Sequence, residues 1–205
     1  MISASPLVLI VDDDDSVRDA LSDLFRSAGI ESVAFGETRE LLNYPNTDRP
    51  SCVVLDVQLP DLNGLELQQQ LVADGRNIPI VFISGFGDVP TSVRAMKAGA
   101  VDFLSKPLDA DELLAAVGRA IELDRASRAS VRQRIEVEAL VESLSPREKD
   151  VLRRVSSGLL NKQIAHELGL TEVTIKVHRA NMMRKMQAGS IIELIRLIDP
   201  IKDRL

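Results

Sequence analysis

One cysteine, two histidines and no long apolar run narrow the possibilities for this chain before any motif is read. Cys52 alone supports neither a disulfide framework nor a cysteine metal site, and its setting in "CVVLDV" marks it as a small core residue. His166 and His178 fall in different helix-like stretches with no cysteine or acidic set at metal spacing, so both are read as packing or phosphate-contact residues. No stretch approaches the roughly 18 apolar residues of a membrane span. The start "MISASPLVLIV" lacks the basic segment of a secretion signal and has acidic residues where the cleavage site would be. A cytoplasmic protein without membrane contact is expected. The 205 residues, 45% of them hydrophobic, suffice for one large or two small domains with real cores.

The net charge of −6 conceals a split. Residues 1–124 hold 9 Lys and Arg against 21 Asp and Glu, whereas residues 125–205 hold 16 against 10. An acidic front and a basic back predict two domains with different partners, the back one suited to nucleic acid.

In the front half, strand-like runs ("LVLIV", "ESVAF", "CVVLDV", "IPIVFIS", "AVDFL") alternate with helix-like stretches. Five such units predict a doubly wound parallel sheet, whose ligands bind beyond the carboxyl ends of the strands. The polar residues at those ends are therefore informative: Asp12 and Asp13 after the first strand, Asp56 closing the third, Ser84 closing the fourth and Lys106-Pro107 after the fifth. Three carboxylates on one edge repel one another and call for a cation. A hard divalent ion suits them, and Mg²⁺ fits a site of a few carboxylates and several waters. Helix capping accounts for Asp14 or Asp15 in "DDDDS", but not for Asp56, Ser84 and Lys106 at the same edge.

From Asp109 to about Leu144 there is no proline and Gly118 is the only glycine. This strong helix-former composition, with Asp109 as a possible N-cap, predicts that the last front-half helix runs well into a solvated connector. Sustained coiled-coil spacing is lacking. Beyond it, "SPRE" at Ser145 is a helix start with Pro at the first position and Glu at the third. "NKQIAHELGL" is a short helix stopped by Gly169, Thr171 caps "EVTIKVHRANMMRKM", and Gly189-Ser190 opens a fourth helix. Helix, tight turn and helix is a DNA-binding pattern. At 100° per residue Ile175, Met182 and Met186 share the inner face of the third helix. Val173, Val177, Ala180 and Arg184 share the outer one, flanked by Thr174, Lys176, Asn181 and Lys185. Small apolar residues among basic ones suit thymine methyls and phosphates.

These residues carry two resemblances. Residues 5–123 resemble the receiver domain of two-component response regulators, a flavodoxin-like five-stranded fold, most closely the FixJ subgroup through "DVPTSVRAMKAGAVDFLSKP". The resemblance implies that Asp56 accepts a phosphoryl group from a sensor histidine kinase. It implies that Asp12, Asp13, Asp56 and the backbone carbonyl of Gln58 hold Mg²⁺, for which Mn²⁺ could substitute. Lys106 would pair with the new phosphate, Ser84 would hydrogen-bond it, and Phe103 would turn inward behind Ser84. Residues 140–200 are similar to the four-helix DNA-binding domain of the LuxR and FixJ type. There Lys176, Val177 and Ala180 would face bases and Lys162, Thr174, His178 and Arg179 would lie near phosphates, with Arg184 and Lys185 as further phosphate contacts. Ile191 stands where many relatives have Arg.

The expected organisation is a receiver over 1–123, a helical linker over 124–142 and a helix-turn-helix domain over 143–205. The expected function is a transcription factor that dimerises on phosphorylation around Val93, Met96, Lys97 and Val101, binds double-stranded promoter DNA and works with RNA polymerase. Catalysis would be limited to self-phosphorylation and slow autodephosphorylation, with Phe86 shielding the acyl phosphate. Two other functions stay open: a phosphorylation-independent DNA-binding regulator whose receiver is a dimerisation module, and a Mg²⁺-dependent aspartyl-phosphate phosphatase.

Overall fold

The computed structural model describes residues 5–85 and 89–204, with Asp203 described by its backbone alone. Phe86 lies outside the described residues. The chain divides into two compact units, residues 1–128 and 129–205.

In the first unit β1 (Leu7–Val11), β2 (Glu31–Phe35), β3 (Ser51–Asp56), β4 (Ile80–Ser84) and β5 (Asp102–Ser105) form one parallel sheet in the order β2-β1-β3-β4-β5. Every residue of β1, β3 and β4 is buried, which is why these runs read as continuously apolar rather than alternating. Their side chains still alternate between two cores. Leu7, Leu9, Val11, Val53, Leu55 and Phe82 face Leu41 of α2 (Thr38–Asn43), Leu67 and Leu71 of α3 (Gly64–Ala73) and Ala95 of α4 (Val89–Lys97). Val8, Ile10, Cys52, Val54, Val81 and Ile83 face Leu21 and Phe25 of α1 (Asp15–Ser27) and Leu113, Val117 and Ile121 of α5 (Ala110–Glu142). A fully buried side chain of this size contributes about 1.5–3 kcal/mol, so the two layers hold the sheet's upper edge firmly. Burial pushes the Cys52 thiol up to about 12, which leaves it an inert core residue.

The connector differs from its expected solvated form. Near the division between the units, Asp124 is buried and accepts from the Ser51 amide (2.7 Å) and from Arg128 Nε (2.6 Å), while Arg128 also donates to the Thr47 carbonyl. Further on, Val137 of α5 is fully buried in the core of the second unit, with Leu140 and Val141 packed beside it. That core is completed by α6 (Pro146–Ser156), α7 (Asn161–Leu168), α8 (Glu172–Lys185) and α9 (Ile191–Ile198), through Val151, Leu152, Ile164, Ile175, Met182 and Leu194. A short 3₁₀ helix, Asp199–Arg204, follows. Among the described residues no helix is long and apolar enough to cross a membrane.

Candidate functional site

The strand order reverses between β1 and β3, and the carboxyl ends of these neighbours are where a ligand crevice opens. Asp12, directly after β1, and Asp56, the last residue of β3, are both buried there, while Asp13 is exposed at the rim. One carboxylate oxygen from each lies within 4.8 Å of the others. Across from them, Lys106 at the end of β5 donates to Asp12 Oδ2 (2.7 Å) and to Asp56 Oδ2 (2.6 Å). Burial draws the Lys106 ammonium downward, but its hydrogen bonds to Asp12 and Asp56 and their charges outweigh this and hold it above its ordinary value. Lys106 thus stays charged.

The backbone shapes the pocket as much as the side chains do. The Gln58 amide donates to Asp56 Oδ1 (2.9 Å), and the Asp14 amide to Asp12 Oδ1 (3.0 Å). Asp14 caps α1, accepting from the Ser16 amide at 2.8 Å, and its hydrogen bonds to Ser16 hold its carboxyl below the usual range. The acidic block is therefore part pocket and part cap. Ser84 is fully buried at the end of β4, and its carbonyl accepts from the Lys106 amide (2.8 Å). The Lys106–Pro107 bond is cis. Phe103 is half-buried, its ring centroid 6.4 Å from that of Phe82.

Three groups beside this pocket escaped the sequence reading. Gly64 opens α3 so close to β3 that a Cβ there would lie 2.5 Å from the Asp56 carbonyl oxygen. Asp61, in the loop after Asp56, takes both the amide and the hydroxyl of buried Thr38 (3.0 and 2.7 Å). Arg18 reaches from α1 to the Asp12 carbonyl (2.6 Å). The donor set of three carboxylates is the chemistry of a hard divalent cation. Against one ammonium the three carboxylates leave two negative charges, which one such ion would balance.

In the second unit Gly169, in the left-handed conformation (φ 66°), ends α7, and Thr171 caps α8 through the Thr174 amide. Ile175, Met182 and Met186 turn inward. Val173 (70% exposed), Val177 (55%), Ala180, Lys176 and Arg184 form the outer stripe of α8, and Lys162 of α7 is exposed as well. Thr174 and His178 are half-buried at the edge of that stripe. Arg179 donates to Asn161 Oδ1 (2.7 Å), tying α8 to the start of α7. Lys185 stands apart from the rest. Its ammonium lies 2.7 Å from Oε2 of buried Glu148 and 3.3 Å from the Ser143 carbonyl, so it is engaged inside the domain.

Two family profiles match the chain: the response regulator receiver domain over residues 8–118, and the bacterial regulatory proteins of the luxR family over residues 142–198. The chain belongs to the FixJ/NarL family of response regulators. Nodulation protein W of Bradyrhizobium diazoefficiens is 50% identical over 199 residues, which is 97% of this chain and 88% of that protein. The structure of the response regulator StyR superposes with a TM-score of 0.86 at 45% identity, covering 96% of this chain and 99% of StyR. Full-length FixJ from B. japonicum matches with a TM-score of 0.57 at 39% identity, over 98% and 99% of the two chains. This response regulator thus joins a receiver domain to a luxR-type DNA-binding domain, and both of its candidate sites lie within the matched segments.

Proposed function

We propose that this regulator accepts a phosphoryl group on Asp56 from the histidine of a cognate sensor kinase and then binds promoter DNA as a dimer. The observation that carries the reading is the convergence of Asp12, Asp13 and Asp56 opposite a charged Lys106. Asp12, Asp13, Asp56 and the Gln58 carbonyl would hold Mg²⁺, or Mn²⁺ in its place. The bound ion supplies charge neutralisation at the phosphoryl oxygens. An Asp56 oxygen attacks the phosphorus of the phosphohistidine; the P–O bond forms while the P–N bond breaks, its electron pair returning to the imidazole. Lys106, which donates to both Asp12 and Asp56, would follow the new charge, and the Ser84 hydroxyl would donate to a phosphoryl oxygen. Phe103, half-buried against Phe82, would then turn inward behind Ser84.

That motion reaches α4, where Val93 and Met96 are exposed (43% and 46%), and with Lys97 and Val101 they form the dimerisation face. Paired domains then present two α8 helices to half-sites about one DNA turn apart or a multiple of it. RNA polymerase is the partner at the promoter, the cytoplasm is the working compartment, and turnover is limited to slow autodephosphorylation.

Mass spectrometry after exposure to acetyl phosphate and Mg²⁺ tests this reading. The wild type should gain one phosphoryl group and become a dimer by light scattering, whereas Asp56→Asn should gain none. A phosphorylated Asp56→Asn chain would assign the acceptor elsewhere.

A further inference from the structure

Arg18 is an α1 residue with no place in the chemistry above, yet its side chain is only 18% exposed. Its Nη1 donates to the Asp12 carbonyl at 2.6 Å, and its other terminal nitrogen pairs with Asp15 in the first turn of α1. The guanidinium lies flat beside Gly36 at the end of β2, where a Cβ would meet Nη1 at 3.5 Å and Cζ and Nη2 at 3.6 Å. The planar fork is thus held by the acidic loop and by the helix, and the missing side chain of Gly36 leaves it room beside the strand end.

The Asp12 carbonyl belongs to the peptide plane that joins Asp12 to Asp13. The Asp12 side chain accepts from the Asp14 amide and from Lys106. The Asp12 amide donates to the Phe35 carbonyl at 3.3 Å. Rotation of the Asp12–Asp13 peptide would swing the exposed Asp13 carboxylate relative to that of Asp12. The charge-assisted hydrogen bond from Arg18 holds the carbonyl of this peptide directly and so opposes the rotation, together with the Asp14 amide bond to the Asp12 carboxylate that spans it.

We propose that Arg18 is a positioning residue for the divalent cation, fixing the Asp12–Asp13 peptide so that the two carboxylates keep a cation-binding span. This rests on the cation site of the proposed function. The sign of the effect separates positioning from simple electrostatics. A guanidinium near a cation site repels the cation, so a residue acting only through its charge would weaken binding and its removal would tighten it. A residue acting through geometry does the opposite.

The experiment uses the full-length, unphosphorylated protein, with free Mn²⁺ followed by electron paramagnetic resonance and Mg²⁺ added as competitor. Arg18→Met, which keeps the apolar stem, should weaken Mn²⁺ binding by roughly tenfold or more, the range found when outer partners of metal ligands are lost. Arg18→Lys, which keeps the charge without the fork, should fall between Arg18→Met and wild type. Unchanged or tighter binding in Arg18→Met overturns the proposal, as does a lowered melting temperature with wild-type affinity. If Arg18→Met does not fold, Arg18→Lys decides, and wild-type affinity there overturns the proposal. Asp13→Asn is the control: if it binds Mn²⁺ like the wild type, the cation site itself is misassigned and this inference falls with it. Loss of binding in Asp13→Asn but not in the Arg18 variants overturns this inference alone.

Discussion

A methyl group on Gly64 has nowhere to go. Its nearest neighbours would be the Asp56 carbonyl at 2.5 Å, the Phe82 ring at 3.2 Å and the Val57 Cα at 3.2 Å, two of them backbone atoms that cannot swing aside. Gly64→Ala should therefore push α3 off the end of β3, destabilising the receiver by about 1–3 kcal/mol as overpacking generally does. Because the displaced atom belongs to Asp56, phosphorylation at saturating Mg²⁺ should slow as well. Urea unfolding and the rate of phosphoryl incorporation measure the two effects, and a variant unchanged in both would contradict this reading. Asp12, Asp13, Asp56, Ser84 and Lys106 were legible in the sequence because polar residues directly after apolar runs stand out. Gly64 and Arg18 were not. A close backbone approach and a side chain reaching back to a carbonyl leave no mark on composition or period.

At the scale of elements, the five strands and the four C-terminal helices follow from apolar runs and capping residues, and the connector shows where that reasoning fell short. The polar flanks of "DRASRASVRQR" suggested a solvated helix, and averaging over them hid the stripe Val137, Leu140, Val141 and Leu144, spaced three and four apart, that packs into the second core. Lys185 shows the same limit for a single side chain: its angular position lies beside the outer stripe of α8, but its long stem turns back to Glu148. This ion pair joins α8 to the N-terminus of α6, where Glu148 also accepts from the Ser145 amide (2.8 Å). The hydrogen bond from Lys185 holds the Glu148 carboxyl below its usual value. A carboxyl lowered in the folded state stabilises it above the unfolded pKa, and that contribution fades as pH falls through the folded value. Glu148→Gln should thus cost about 1–2 kcal/mol at neutral pH, a figure kept modest by the partial exposure of Lys185. The deficit should shrink below about pH 4. Calorimetry of wild type and variant across this range checks it; a deficit independent of pH would show that packing, not the charge pair, links α6 to α8.

The chain joins an acidic receiver to a basic DNA-binding half, and the split in the sequence anticipated two domains because charge follows partner chemistry rather than fold. What charge counting could not supply is which cations are available to DNA. Among the described residues, Lys162 is exposed, Lys176 pairs with Glu172 at 3.7 Å, and Arg184 contacts Asn181 at 3.4 Å. Lys185 is engaged with Glu148. Each cation that neutralises a phosphate releases counterions, so the dependence of log K on log salt counts the contacts. On a random-sequence duplex, where binding is electrostatic, Lys162→Ala, Lys176→Ala and Arg184→Ala should each reduce that slope by about one per bound subunit. Lys185→Met should leave the slope unchanged and instead lower the melting temperature of the second unit, because its charge is already matched inside the fold. Fluorescence anisotropy of the full chain across a salt series makes the comparison. A slope that falls as much for Lys185→Met as for Lys176→Ala would mean that the ammonium leaves Glu148 on binding and that the ion pair competes with DNA.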